Sequence, residues 1–165
     1  VERFTPEACR TPETLARALA LFDERYAAHK ADKTAPYPGI AQLLQHLQAA
    51  GVRYGVVTNK DHAAAVGVLQ HYFGSLVPHV QGRIDALPPK PAPDTTHLLM
   101  KTLGAAPETT LFVGDSNVDI ATAKAAGLAS CGVLWGFRTL GELQQAGADH
   151  IAETPAALQA LILGQ

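Results

Sequence analysis

The sequence has few of the features that mark secreted, membrane or nucleic-acid-binding proteins. Its 165 residues include only two cysteines, Cys9 and Cys131, which lie far apart and outside any CxxC pair, so we expect reduced thiols and no disulfide framework. No apolar run approaches the length of a membrane span. Lysine and arginine are scattered and the net charge is −2, which argues against a nucleic-acid surface. We expect a cytoplasmic protein with neither a membrane nor a nucleic acid as partner.

The beginning of the chain also lacks something. Val-Glu-Arg-Phe contains neither an initial Met nor the pattern of a signal peptide. This predicts a cytosolic protein whose first segment is missing. What remains is rich enough in hydrophobic residues, at 47%, to build a packed core, and its length suits one domain with a small appendage.

Hydrophobic spacing predicts two parts. Residues 11–30 form an amphipathic helix with Leu15, Leu19, Phe22 and Tyr26 on one face, followed by a polar break at 31–35. Thereafter helices alternate with short apolar strands. The predicted strands are 53–58, 76–80, 110–114 and 131–134, and the predicted helices lie between Gly39 and Gly51, at 61–73, ending near 104, and at 117–126, 140–146 and 155–163. This alternation predicts an α/β fold with a mostly parallel sheet covered on both sides.

Polar residues follow several predicted strands, where open parallel sheets bind their ligands. They are Thr58 and Asn59, Lys90 in a proline-rich turn, Asp115 with Ser116 and Asn117, and Asp119 one helical turn further on. A hydroxyl, an ammonium and two carboxylates suit a phosphate monoester and a hard cation such as Mg²⁺.

Each feature alone has an ordinary structural explanation. Thr58-Asn59 could form a turn, Lys90 could be an exposed lysine, and Asp115-Ser-Asn could be a helix cap. The seven histidines offer no metal-binding spacing. It is the occurrence of all three features at strand ends that favours a phosphate site.

These elements, in this order, resemble the haloacid dehalogenase (HAD) superfamily of phosphatases. The resemblance is carried by Tyr37-Pro38-Gly39, by Val56-Val57-Thr58-Asn59-Lys60, by Lys90-Pro91-Ala92-Pro93-Asp94 and by Phe112-Val113-Gly114-Asp115-Ser116-Asn117-Val118-Asp119. Trp135-Gly136-Phe137-Arg138 and Ala146-Gly147-Ala148-Asp149 are similar to the phosphoglycolate phosphatase branch.

The resemblance implies roles for individual residues. Thr58, with Asn59 beside it, would bind the phosphoryl group; Lys90 would steady the nucleophile and the transferring phosphoryl group; Asp115 would bind Mg²⁺, with Asp119 supporting the metal shell. The reaction would pass through a phospho-aspartyl enzyme. Residues 1–34 would be part of a helical cap, and residues 35–165 a Rossmann-like three-layer core without its first strand.

The sequence departs from the family at its first motif, because no Asp-x-Asp-Gly-Thr occurs and no two aspartates are spaced as Asp-x-Asp. A second departure is Val80-Gln81-Gly82-Arg83, where the family often has Gly-Gly-Asp. The resemblance implies that the missing first strand would lie between the strands ending at Thr58 and Gly114. We therefore expect that an absent segment fills this gap, that another chain donates a strand, or that the two strands close up; an open gap in a monomer is not expected.

Three functions compete. The first is a phosphatase of small phosphorylated metabolites, with 2-phosphoglycolate as the first guess, in which this chain alone is inactive because it lacks the nucleophile. The second is a non-catalytic fragment that binds phosphate or a partner. The third, a signalling receiver domain, is disfavoured because receivers place their acidic pair before the Thr and Lys, whereas here Thr58 precedes Lys90 and Asp115.

Overall fold

The computed structural model describes residues 5–29 and 34–164, without the side chains of Asp23 and of residues 26–29. It divides into two compact units, 1–35 and 36–165. The first unit contains a 3₁₀ turn, Glu7–Cys9, and helix α1, Pro12–His29. Leu19 and Phe22 on α1 are about half exposed, at 49% and 48%. The predicted contribution of Tyr26, and most of the predicted break at 31–35, lie outside the described residues.

The second unit alternates strands and helices, which confirms the predicted α/β class. Its helices are α2 (Ile40–Ala49), α3 (His62–Phe73), α4 (Asp94–Leu103), α5 (Asn117–Ala125), α6 (Leu140–Gln145) and α7 (Pro155–Leu163). Its strands are β1 (Val56–Asp61), β2 (Val80–Arg83), β3 (Leu111–Gly114), β4 (Ala129–Val133) and β5 (His150–Ala152). Every strand pairing in the described residues is parallel. No described helix is long and apolar enough to cross a membrane.

The strands form two sheets rather than one. β1 pairs with β2, and β3, β4 and β5 pair in that order, while no ladder among the described residues joins β1 to β3. Of the three expected outcomes, the closing up of these two strands is therefore wrong. The expectation that the chain alone would leave no gap is also not met. Each sheet is packed against its own helices, and moving β1 sideways to pair with β3 would break that packing.

The three-stranded sheet is covered on both faces. Leu111 packs against a core cluster that includes Leu43, Cys131 and Leu158, whereas its neighbour Phe112 packs against a second cluster. Adjacent residues of a strand point to opposite faces, so α2 and α7 cover one side of β3 and the second cluster, with α4 and α5, covers the other.

Helix α4 connects the two sheets. Its Leu99 side chain lies so near Gly55, which precedes β1, that a Cβ there would be 3.0 Å from Leu99 Cδ2. The next residue, Met100, belongs to the second cluster with Ala123 and partly buried Phe112. The first sheet is thus held beside the second by apolar packing on α4 and by polar contacts at the sheet edge.

Three strand predictions need correction. β1 spans Val56–Asp61 and not 53–58, β2 begins at Val80 where the prediction ends, and β5 was not predicted. The first residue of the predicted strand 76–80, Leu76, belongs to a 3₁₀ turn at Gly74–Leu76. β5 has three residues, which is too short for hydrophobic spacing to reveal, and it is fixed by pairing with β4.

Candidate functional site

Thr58, Asn59 and Lys60 lie in an irregular part of β1. The ladder with β2 pairs Val57 with Gln81 and then Asp61 with Arg83, so three residues of β1 face one residue of β2. Such bulges release side chains from the regular alternation of a strand. Thr58 Oγ1 accepts a hydrogen bond from Lys60 N at 3.2 Å, which holds the hydroxyl against the backbone of the bulge.

Asn59 uses its side-chain amide to hold the main chain of Lys90. Lys90 N donates to Asn59 Oδ1 at 2.7 Å, and Asn59 Nδ2 donates to Lys90 O at 3.0 Å. The Asn59 side-chain amide thus both donates to and accepts from the main chain of Lys90, as a neighbouring strand would, and fixes the proline-rich turn beside β1. The phosphate-binding role of Asn59 remains a prediction, while the structure assigns both of its polar groups to Lys90.

The ammonium of Lys90 joins the edges of the two sheets. Lys90 Nζ lies 2.6 Å from Asp119 Oδ1 and donates to Val57 O at 3.3 Å. It also lies 5.7 Å from the centre of the Phe112 ring, a cation–π distance. The Lys90 and Asp119 side chains are only 12% and 10% exposed. A charge-assisted bond therefore links β1 to the start of α5 in a poorly hydrated place.

Both carboxylate oxygens of Asp119 accept hydrogen bonds within the chain. Its Oδ2 accepts from Ser116 N at 3.1 Å and from Ser116 Oγ at 2.6 Å, while Asp119 N donates to Ser116 Oγ at 3.3 Å. This is a capping box in which Ser116, and not Asp115, is the N-cap of α5. Gly114 permits it, because a Cβ at position 114 would collide with the Asp119 side chain. The spacing Ser-x-x-Asp is the sequence signal for this cap.

Asp115 points to another partner. Its Oδ2 accepts a hydrogen bond from Phe137 N at 2.9 Å, in the loop after β4. Among the described residues no hydrogen bond is made to Oδ1 of Asp115. The involvement of this loop was missed, and no residue-type signal marks it because the donor is a main-chain N–H.

The predicted residues therefore come together in part. Asn59, Lys90 and Asp119 form one hydrogen-bonded network, and Asp115 lies at the end of β3 directly before the cap of α5. A cavity of about 630 Å³ between α2 and α7 lies elsewhere, since Pro38, His46 and Pro155 line it and none of these site residues does.

The carboxylates of the candidate site are the side chains that could bind a cation. No group of three or more His, Cys, Asp or Glu side chains that could hold a metal occurs in the part of the chain that is described. Both oxygens of Asp119 accept hydrogen bonds, whereas Oδ1 of Asp115 accepts none within the described residues, so Asp115 has the more open carboxylate. One or two carboxylates completed by water and substrate phosphate are what Mg²⁺ commonly takes, so Asp115 fits such a site as a single protein ligand.

Comparison with known proteins agrees with this architecture. The model of the haloacid dehalogenase-like hydrolase family matches residues 3–127. A phosphoglycolate phosphatase from Escherichia coli (strain K12) is 38% identical over 122 residues, which are 71% of this chain and 47% of that protein. The chain thus spans about half the length of this curated relative.

Solved structures extend the likeness over almost the whole chain. A Lactobacillus delbrueckii subsp. bulgaricus protein assigned as a phosphoglycolate phosphatase superimposes with a TM-score of 0.91 at 36% identity, covering 97% of this chain and 66% of that one. A predicted phosphoglycolate phosphatase from Haemophilus somnus gives 0.82 at 29% identity, covering 94% and 68%. On its sequence match and its fold, the chain belongs to the haloacid dehalogenase-like hydrolase family.

Proposed function

We propose that these residues form the phosphate- and cation-binding part of a phosphatase that acts on a small phosphorylated metabolite, with 2-phosphoglycolate as the first candidate. The observation that carries the proposal is Lys90, whose ammonium is fixed between Val57 O of β1 and the Asp119 carboxylate in the first turn of α5. The relatives named phosphoglycolate phosphatase support the choice of substrate.

Each residue has a separate task in this proposal. Lys90 offsets the charge of the phosphoryl group, and Thr58 donates its hydroxyl to a phosphoryl oxygen. Asn59 keeps the Lys90 turn in place. Asp115 holds Mg²⁺, which when bound supplies charge neutralisation to the phosphate. Asp119 supports this centre by orienting Lys90, and its part in the metal shell remains a proposal.

Hydrolysis through a phospho-aspartyl enzyme also needs a nucleophilic aspartate. The chain contains no Asp-x-Asp pair, so we propose that it does not hydrolyse phosphate esters by itself. The site would become active when a strand carrying Asp-x-Asp-Gly-Thr pairs between β1 and β3.

The test compares this chain with a fusion that supplies such a strand. The fusion should hydrolyse p-nitrophenyl phosphate and 2-phosphoglycolate with Mg²⁺, and it should lose this activity on Lys90→Ala or on Asp→Asn at the first Asp of the added strand. The unfused chain should show no Mg²⁺-dependent hydrolysis. Hydrolysis by the unfused chain, or a fusion whose activity survives Lys90→Ala, would refute the proposal.

A second function is favoured by the sheet edges. The inner edges of β1 and β3 carry no ladder partner in the described residues, and Val113 in the middle of β3 is 37% exposed. Thr96 lies on the buried side of α4 and is 3% exposed. Its hydroxyl has no hydrogen-bond partner in the described structure. These features suit a site that accepts a strand donated by another chain.

An apolar strand peptide without any aspartate tests whether the chain accepts a donated strand. Strand acceptance predicts saturable binding of this peptide, detected by protection of the β1 and β3 amides from hydrogen exchange. A matched peptide with a central proline should not bind. Equal protection with both peptides, or none with either, would exclude strand acceptance.

A further inference from the structure

The loop after β4 holds Asp115 by its main chain. Phe137 N donates to Asp115 Oδ2 at 2.9 Å, while the Phe137 side chain is 87% exposed. The ring therefore contributes little packing to this place. What reaches the carboxylate is the backbone N–H, which any residue except proline would offer at the same position.

The residue before Phe137 has no room for a side chain. A Cβ on Gly136 would collide with Cβ, Cγ and Oδ2 of Asp115. Gly136 does not have a positive φ, so glycine is required here by the lack of space for a side chain and not by backbone conformation. Gly141, in the neighbouring helix α6, offers a contrast because an added Cβ would meet nothing within 4 Å.

Together these contacts restrict the carboxylate. Gly136 lets the loop close onto Asp115, and the Phe137 N–H then fixes which way Oδ2 points. In metal sites, partners of this kind orient the ligand, and removing them weakens metal binding about 10- to 100-fold. Oδ2 is thus held by the loop, while Oδ1 accepts no hydrogen bond from the described residues.

We propose that Gly136 and the main-chain N–H of Phe137 are positioning elements that orient Asp115 for a divalent cation. This inference rests on the proposed function, in which Asp115 is the cation ligand. It makes the loop after β4 part of the metal site, although that loop contributes no ligand of its own.

The experiment titrates the ¹⁵N-labelled 165-residue chain with Mn²⁺ and follows the broadening of its amide signals. Gly136→Ala, which pushes Asp115 away, and Phe137→Pro, which removes the N–H, should each bind Mn²⁺ about 10- to 100-fold more weakly than the wild type. Phe137→Ala removes the ring and keeps the N–H, so it should bind more tightly than Phe137→Pro. Gly141→Ala is the matched glycine control and should bind like the wild type.

A second measurement does not depend on the metal. Asp115→Ala removes the acceptor of this hydrogen bond and should reduce the exchange protection of the Phe137 amide by at least about tenfold, because a bond to a carboxylate contributes roughly 1.5–3 kcal/mol. This arm remains informative should Gly136→Ala fail to fold.

The outcomes separate the two proposals. Wild-type binding with equally tight binding by Gly136→Ala and Phe137→Pro would overturn the inference and leave the proposed cation site standing. Absence of broadening around Asp115 in the wild type would overturn both. Unchanged exchange of the Phe137 amide in Asp115→Ala would overturn the inference alone.

Discussion

Asp119→Ala should destabilise the protein strongly, because it removes one partner of a nearly buried ion pair. Lys90 Nζ lies 2.6 Å from Asp119 Oδ1, and the two side chains are 12% and 10% exposed. Deleting one partner of a buried pair leaves an uncompensated charge and costs about 3–5 kcal/mol. We take roughly 3 kcal/mol, since both side chains keep some contact with water. Loss of the hydrogen bonds to Ser116 adds about 1 kcal/mol by weakening the start of α5.

The expected total loss in free energy of unfolding is therefore roughly 4 kcal/mol, measured by urea denaturation at neutral pH. Asp115→Asn is the matched carboxylate control. It keeps a side-chain oxygen that can accept from Phe137 N, so it should cost less than about 1 kcal/mol. A difference between these two neighbouring positions would reflect the ion pair and the cap, and not a general effect of removing negative charge.

A double-mutant cycle isolates the pair. Lys90→Met removes the ammonium that Asp119→Ala strands, so the double variant should be about 2 kcal/mol more stable than the sum of the single losses predicts. If Asp119→Ala costs less than about 1 kcal/mol and the cycle shows no coupling, Lys90 is not held by this carboxylate. The network from Asn59 to Ser116 would then lose its central contact.

Further predictions concern the side chains of Asn59, Thr96 and Asp149. Asn59→Ala should lower the free energy of unfolding by about 1–3 kcal/mol, because both hydrogen bonds to the Lys90 main chain are lost; an unchanged urea midpoint would contradict it. Thr96→Val should raise that free energy by about 1 kcal/mol, since it removes a buried hydroxyl without a hydrogen-bond partner; a loss of stability in urea would argue that the hydroxyl has a partner in solution. The hydrogen bond from the Ser130 hydroxyl, and to a lesser degree the one from the Ser130 main-chain N–H, lowers the pKa of Asp149 below its ordinary 3.8. A carboxyl with a depressed folded-state pKa stabilises the protein above its unfolded value and loses this contribution as the pH falls through the folded value. The stability advantage of the wild type over Asp149→Asn should therefore shrink below about pH 4, and an advantage that stayed constant in urea curves from pH 6 to pH 3 would oppose this.

Local sequence patterns were sufficient to predict where most helices lie. Their starts and ends depend on short-range signals such as Thr139 and Glu142, or Ser116 and Asp119, which form capping boxes within four residues. Strand limits were less accurate, since a strand begins and ends where its neighbour does. β2 illustrates this, because only pairing with β1 places it at Val80–Arg83.

The candidate site divides in the same way. Residue type, position near strand ends and the resemblance to a known family selected Thr58, Asn59, Lys90, Asp115 and Asp119 as candidates, because these features occur together where parallel sheets bind ligands. Which of them contact one another was not determined by the sequence. The double hydrogen bond of Asn59 to Lys90 requires the bulge in β1, which exists only through the register with β2.

By itself the sequence determined the alternation of helices and strands, the family and the chemical groups proposed for the site, all of which depend on residues close together in the chain. Tertiary structure alone decided that the strands form two separate sheets, that Lys90 bridges them to Asp119, and that the Phe137 N–H reaches Asp115. These contacts join residues that are 22 or more positions apart, and the Phe137 donor is a main-chain group that every residue but proline carries. Their partners are therefore set by how the elements pack and not by local residue type.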